Sequence, residues 1–154
     1  MSGPRLLQRA VLIYLSLSGL LVGVWATFFP RSFYDDFPGL GRMWISADGP
    51  MNEHLLRDVG QLSLALAVVS VVAARTLHPL LVRTAGAAWL LNAVPHLVYH
   101  LRHLDKYDTS DQIGNVVSLG LLAVLPIVVL AVSFRRRDVD QAPASNQARA
   151  SATR

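Results

Sequence analysis

Histidine and aspartate recur at the spacing of one helical turn at two places in this sequence. His54 and Asp58 form an HxxxD pattern, and His96 and His100 form an HxxxH pattern. On an α-helix, residues four apart lie on the same face, so each pair can present its side chains to one point. Imidazole nitrogen and carboxylate oxygen together are suitable ligands for Zn²⁺ or iron. One interpretation of this spacing is therefore a metal site with these four residues as candidate ligands.

Two acidic residues have a further role in this metal hypothesis. Asp58 is either a ligand or the general base that activates a metal-bound water. Asp111 lies one turn from Asn115 and is an additional candidate ligand or an orienting partner of a ligating histidine. In this interpretation the metal is Zn or Fe, and the protein is a membrane enzyme acting on a lipid or another outer-leaflet substrate.

The same residues allow two other interpretations. In the first, the polar side chains hydrogen-bond between helices and to water, and the protein is a structural, partner-binding or ligand-binding component. In the second, His54 and one histidine of the third helix are the axial ligands of a haem. The chain contains no cysteine, so thiolate metal sites and disulfides are excluded.

The elements that must position these residues are apolar. Hydrophobic residues make up 53% of the 154 residues and charged residues only 16%, and the mean hydropathy is +0.40. Residues 10–29 and 113–134 are uncharged runs long enough to cross a hydrocarbon core of about 30 Å. Two shorter runs lie between them. The sequence predicts an all-α fold, a polytopic membrane four-helix bundle with helices near 10–29, 55–75, 80–102 and 112–134.

The distribution of basic residues predicts the orientation of this bundle. Arginine is concentrated at residues 5–9, at residues 75–83, where there is no acid, and at residues 135–137, whereas residues 30–58 and 102–111 mix both charges. The positive-inside rule then places both termini in the cytoplasm, as expected for a multi-pass protein of a bacterial inner membrane. Residues 1–9 are a cytoplasmic N-terminus, residues 30–54 an outer interfacial loop, and residues 135–154 a disordered cytoplasmic tail.

This charge distribution also bears on partners. The basic residues lie at the ends of apolar runs and not along one helical face, so no nucleic acid is expected. The expected partners are the lipid bilayer and a lipid or another membrane protein.

Local signals predict where the helices begin. Asp48, Gly49 and Pro50 are typical of the start of the second helix. Thr109 and Gln112 have the spacing of a capping box at the start of the fourth helix. The second helix begins, the third ends and the fourth begins on the outer side. The His54/Asp58, His96/His100 and Asp111/Asn115 pairs are therefore expected at one depth, where intramembrane polar groups usually face the interior.

The segments "GPMNEHLLRDVG" and "PHLVYHLRHLDKYD" give the chain a resemblance to small bacterial four-helix membrane proteins. This resemblance covers about residues 8–134 and implies the four-helix fold, but no activity. At the level of the site alone, the chain is similar to the ceramidase-like membrane zinc hydrolases, which have an HxxxD and an HxxxH pattern. His54, Asp58, His96 and His100 match those patterns. That superfamily differs in having seven spans and a motif serine without a counterpart here.

Overall fold

The structure, a computed structural model, describes the backbone of residues 3–152 and the side chains of residues 3–135. Its architecture confirms the predicted all-α class. The helices are α1 (Gly3–Phe28), α2 (Pro30–Asp36), α3 (Trp44–Asp48), α4 (Glu53–Thr76), α5 (Pro79–Leu101) and α6 (Thr109–Ala152), with a 3₁₀ turn at Leu104–Lys106. Two short antiparallel strands, β1 (Pro38–Gly39) and β2 (Arg42–Met43), form a hairpin. Of the tail expected at residues 135–154, all but Arg135 lies outside the residues whose side chains are described.

Three helices of the described chain are long and apolar enough to cross a bilayer. They are Gly3–Phe28, Glu53–Thr76 and Thr109–Arg135. Their outward surfaces are apolar, with Leu17 61% and Leu62 68% exposed, as is suitable for contact with lipid. Helix α5 has a similar length but is not among these three, and Arg83, Asn92, His96 and His100 interrupt its hydrophobic sequence.

The four long helices pack as two pairs, α1 with α4 and α5 with α6, and fewer contacts join the pairs. Between the pairs, Trp89 Nε1 donates a buried hydrogen bond of 2.8 Å to Ser70 Oγ. The core contains Leu12, Leu15, Ala73, Val82, Trp89 and Val129. The buried residues of α5 all precede Leu97. The main buried core therefore lies toward the end of the molecule where α1 and α5 begin.

Arginine side chains hold the helices at this closely packed end. Arg9 Nε donates to the carbonyl of Ala74 near the end of α4, at 3.1 Å. Arg83 Nη2 donates to the carbonyl of Ser133 at 2.9 Å, and its guanidinium lies 4.5 Å from the Phe134 ring centroid. The Ala74 carbonyl is in the last turn of α4 and lacks a donor within the helix, so Arg9 satisfies a group that would otherwise be costly to bury.

Two predicted helix starts differ from those observed. Helix α4 begins at Glu53, and the Asn52 side chain caps it by accepting from Leu55 N at 3.1 Å. Asp48 ends α3, so the predicted helix start at Asp48 to Pro50 was wrong. At the start of α6, Asp108 Oδ1 accepts from Asp111 N at 2.9 Å, which is the cap bond expected of an aspartate in this position.

The second of these differences concerns the predicted capping box. Gln112 Nε2 donates to the carbonyls of Leu104 and Tyr107, at 3.1 and 3.0 Å. It does not reach back to the helix start as a capping-box residue would. Gln112 instead fixes the α5–α6 loop, residues 102–108, against the first turn of α6.

The connector, residues 29–52, joins α1 to α4 and forms an aromatic cluster with Trp25 of α1. Trp25, Phe33, Phe37 and Trp44 have successive ring centroids 4.8 to 6.2 Å apart. Aromatic rings at these separations pack favourably in edge-on or tilted arrangements. The cluster therefore gives the connector a small apolar core of its own, between the long helices and the hairpin.

Candidate functional site

The connector and the α5–α6 loop meet through an acidic residue, Asp48. Its carboxylate accepts a hydrogen bond of 2.6 Å from Lys106 Nζ and bonds of 3.2 Å from the Tyr99 hydroxyl. Lys106 Nζ also donates to the backbone carbonyl of Asp48 at 3.0 Å. These three residues, called here the Asp48 cluster, attach the end of α3 to the end of α5.

Electrostatics favour the ionised state of this cluster. Burial by itself raises the pKa of Asp48, but the hydrogen bond and the charge of Lys106 outweigh it and leave that pKa below its ordinary value. The same hydrogen bond raises the pKa of Lys106. The attraction is therefore fully present between the ordinary carboxylate pKa of about 4 and the ordinary lysine pKa of about 10.4. It is lost as the pH falls through the lowered pKa of Asp48, or rises through the raised pKa of Lys106.

A second set of contacts joins the connector to the start of α6. Arg42 forms an ion pair with Asp111, and its Nη1 donates to Ser110 Oγ at 2.9 Å. The Tyr107 hydroxyl donates to the carbonyl of Trp44 at 3.1 Å. Asp111, a predicted metal ligand, is thus engaged by a guanidinium that the sequence interpretation did not include.

These contacts border an open polar groove with a volume of about 400 Å³. The hairpin forms one wall, and the α5–α6 loop with the start of α6 forms the other. Its lining includes Leu40, Arg42, Met43, Lys106, Tyr107 and Ser110. Leu40, at the hairpin tip, is 100% exposed. The groove offers hydroxyl groups and paired charges to a ligand, beside two apolar side chains.

His96 and His100 lie next to the Asp48 cluster. Their ring centroids are 4.7 Å apart, as expected for residues one turn apart. Asp48 is the carboxylate that interacts electrostatically with both rings. Nδ1 of His100 is buried and has no hydrogen-bond partner among the described residues. His96 lies on the same helix face as the buried Trp89, two turns after it in α5. His96 is nevertheless exposed, because the core does not extend to this end of the helix.

The third predicted pair, His54 and Asp58, is in the first turns of α4. His54 Nε2 is 3.5 Å from Asp58 Oδ2, and the two side chains are 88% and 48% exposed. On the neighbouring face, Arg57 pairs with Glu53 at 2.8 Å and donates to the carbonyl of Thr27. His54 and Asp58 are thus a surface pair.

The structure does not bring the predicted ligands to one point. Among residues 3–135, no three His, Asp or Glu side chains lie close enough together to hold a metal ion. His54 contacts Asp58, His96 contacts His100, and Asp111 contacts Arg42. Their joint role as ligands therefore stays a prediction. Asn115, expected to extend the site, is buried and donates to the carbonyl of Asp111 within α6 at 3.0 Å.

The sequence interpretation missed Asp48, Lys106, Tyr99 and Arg42 as members of the site. Asp48 precedes Gly-Pro, which is typical of a helix start, so the sequence pattern indicated a capping role. It gave no indication of the contacts of Asp48 with Tyr99 and Lys106, which are more than fifty positions away. The signal that could have found Lys106 is its isolation as the only lysine of the chain, in the loop after the histidines. Comparisons with protein-family models, curated proteins and solved structures found no match to this chain.

Proposed function

We propose that this protein is a four-span membrane protein, a bundle of α1, α4, α5 and α6 with both termini in the cytoplasm. Support for α5 as the fourth span comes from its length, its packing along α6 and its buried Trp89. Support for the orientation comes from the arginines at the end where α1 and α5 begin. In this arrangement the connector and the α5–α6 loop face outward.

Binding of a ligand or partner at this outer end is the proposed activity. The observation that supports this activity is how the connector is held. Asp48 bonds to Lys106 of the α5–α6 loop and Arg42 bonds to Asp111 of α6, and the polar groove stays open beside these two contacts. Each cation of the groove wall is paired with a carboxylate. Paired charges position groups well, but they do not supply the unpaired base or nucleophile that catalysis needs. The groove therefore suits a small polar ligand.

Two measurements test this proposal. Since the chain lacks cysteine, Leu40→Cys and His78→Cys each introduce one thiol, and a membrane-impermeant maleimide applied to whole cells should label only the first. Native mass spectrometry of the protein extracted from its own membrane should then show a bound mass. Arg42→Ala should release this mass, whereas Arg31→Ala, another connector arginine, should not. Labelling of His78→Cys in intact cells would refute the orientation, and equal retention by both variants would refute the groove.

A metal-dependent enzyme acting on a lipid or outer-leaflet substrate is the second candidate. The specific observation in its favour is the pair of adjacent imidazoles in which Nδ1 of His100 is buried without a partner. An unpaired buried nitrogen is costly unless something binds it. Zn and Fe analysis of the purified protein, beside a His96→Ala/His100→Ala variant, decides the question. Metal content equal to that of the double variant would remove this candidate.

A haem protein is the further alternative. It requires His54 and a histidine of α5 as axial ligands, whereas His54 is 88% exposed and contacts Asp58. The same purified sample tests it, because bound haem gives an intense Soret absorption band. A spectrum without that band would remove this alternative.

A further inference from the structure

The faces of α4 and α5 that meet at the hydrogen bond between Trp89 and Ser70 both become accessible toward the connector. On α5, His96 lies two turns after Trp89 on the same face and is exposed. On α4, Ser63 and Val59 lie two and three turns before Ser70 on the same face, and Val59 is 43% exposed. Beyond the hydrogen bond, a cleft therefore separates the two helix pairs. We call it the inter-pair cleft and define it by Val59, Leu62, Asn92 and His96.

The inter-pair cleft opens on the side of α4 and α5 that is away from their packing partners. Gly60 of α4 faces α1, and Gly86 of α5 faces α6, because a Cβ atom on either glycine would overlap the partner helix. On the opposite flanks of the two helices, Leu62 is 68% exposed and Asn92 is also exposed. With α1 and α6 on one side, the other side of the cleft faces lipid in a four-span protein.

The remaining boundaries of the cleft are formed by the protein. Many protein atoms surround the His96 ring although the side chain is exposed, as expected in a recess and not on a convex surface. The connector covers the outer end, since Asp48 bonds to Lys106 and interacts electrostatically with His96. Trp89 and Ser70 close the inner end. The cleft is therefore a recess in the outer half of the bundle, accessible from the bilayer.

The polar groups of the cleft have no partners within the described protein. Neither Asn92 nor His96 makes a hydrogen bond to another described residue. His96 and Asn92 lie about 8 and 14 Å below Leu101, the end of α5, at about 1.5 Å per residue. Hydrocarbon at that depth supplies no hydrogen-bond partner, so an exposed amide or imidazole is costly. A bound molecule with polar groups of its own would remove that cost.

The charges around the cleft favour an uncharged headgroup. Residues 59–74 and 84–101 contain no Asp, Glu, Lys or Arg, and Asp48 at the outer end is already paired with Lys106. A phosphate at this depth would lose its hydration without gaining a cation. An amide has both a donor and an acceptor, and so does a neutral imidazole, which suits the hydroxyl and ester groups of an uncharged lipid.

We propose that the inter-pair cleft binds an uncharged lipid of the diacylglycerol class. Its hydroxyl and ester groups hydrogen-bond to Asn92 and His96, and its acyl chains lie along the exposed side chains of Val59 and Leu62. A head without phosphate can lie at this depth because it does not have to keep a charge hydrated. The site rests on α5 being a span, as proposed above, but it is separate from the polar groove and does not include Arg42.

Lipid retention by the purified protein tests the proposal. The protein is equilibrated in detergent with equal amounts of dioleoylglycerol and dioleoylphosphatidylcholine, and the lipid that co-purifies is extracted and measured by mass spectrometry. The wild type should retain dioleoylglycerol preferentially. Asn92→Leu and His96→Leu should each weaken its binding about fivefold, as the loss of one hydrogen bond predicts. The matched control is Gln61→Leu, which removes an exposed amide from the face of α4 opposite Ser70 and should change nothing.

Helical circular dichroism verifies the folding of each variant. If the leucine variants do not fold, Val59→Trp takes their place, since it fills the cleft from α4, and Val68→Trp on the opposite face is its control. Equal retention by the wild type and the cleft variants, or an equal loss in the controls, would overturn the site. Preferential retention of phosphatidylcholine would overturn the assignment to an uncharged lipid. Arg42→Ala should retain dioleoylglycerol fully, and its loss there would assign the lipid to the polar groove and overturn this proposal.

Discussion

Substitution of Gly60 by alanine should separate α1 from α4. A Cβ atom on Gly60 would lie 2.6 Å from the backbone nitrogen of Thr27 and 3.1 Å from the carbonyl carbon of Ala26, and it would also overlap Thr27 Oγ1. The two backbone atoms cannot rotate away as a side chain can. The helices must therefore move apart where they now touch most closely, and the neighbouring bond from Arg57 to the Thr27 carbonyl must adjust.

The magnitude follows from two opposing terms. Replacing glycine by alanine inside a helix stabilises it by about 1 kcal/mol, through propensity alone. Overpacking at a close contact costs about 1–3 kcal/mol. Gly120 in α6 isolates the first term, because its Cβ would meet no atom within 4 Å. We expect Gly120→Ala to raise the free energy of unfolding by about 1 kcal/mol. The free energy of unfolding of Gly60→Ala should lie about 1–3 kcal/mol below that of Gly120→Ala.

Reversible unfolding in mixed micelles, monitored by helical circular dichroism, gives both free energies in one denaturant series. The comparison needs the two variants to have the same denaturant dependence, so that their midpoints report stability alone. A Gly60→Ala protein as stable as Gly120→Ala would refute the close approach of α1 and α4 described here.

Three further predictions concern other contacts. In the wild type, the protection of connector amides from hydrogen exchange should fall as the pH falls through the lowered pKa of Asp48, and Asp48→Asn should abolish this pH dependence; a transition that persists in the variant would contradict this. Trp89→Phe should lower the free energy of unfolding by about 1 kcal/mol, with little further loss when Ser70→Ala is added, as a double-mutant cycle measures. Gly114→Val should displace the Trp44 indole, whose Cζ2 would lie 2.8 Å from the new Cβ, and shift its fluorescence; an unchanged spectrum would count against that contact.

The sequence predicted the all-α class and the apolar spans because bilayer thickness sets a length that uncharged runs must meet. The apolar run that predicts a span was less definite for α5, because the polar residues Asn92 and His96 interrupt it. Helix starts were less predictable. Asp48-Gly49-Pro50 has the composition of a helix start, but Asn52 performs the capping. Several polar residues near a boundary can cap a helix, and tertiary contacts select among them.

For the site, the sequence predicted which residues share a helix face but not which helices meet. His96 and His100 are adjacent in the structure because one helix carries both. His54 and Asp58 are likewise paired within α4, but helix periodicity does not determine whether their face of α4 points toward another helix or toward the surface. Asp48 of the connector pairs with Lys106, and Asp111 pairs with Arg42 of the connector, and the partners are more than fifty residues apart in the sequence. Periodicity contains no information on such contacts.

The two ends of the molecule differ in what holds them together. Where α1 and α5 begin, small and apolar side chains pack the helices directly, and the buried part of α5 ends at Ala93. At the other end, the helix pairs are joined by hydrogen bonds and ion pairs of the connector, such as that of Asp48 with Lys106, whose side chains are 30% and 29% exposed. These side chains are partly exposed, so solvent and salt weaken the attraction between them. The polar contacts beside the groove and the histidine pair therefore depend more on pH and ionic strength than the apolar packing at the other end does.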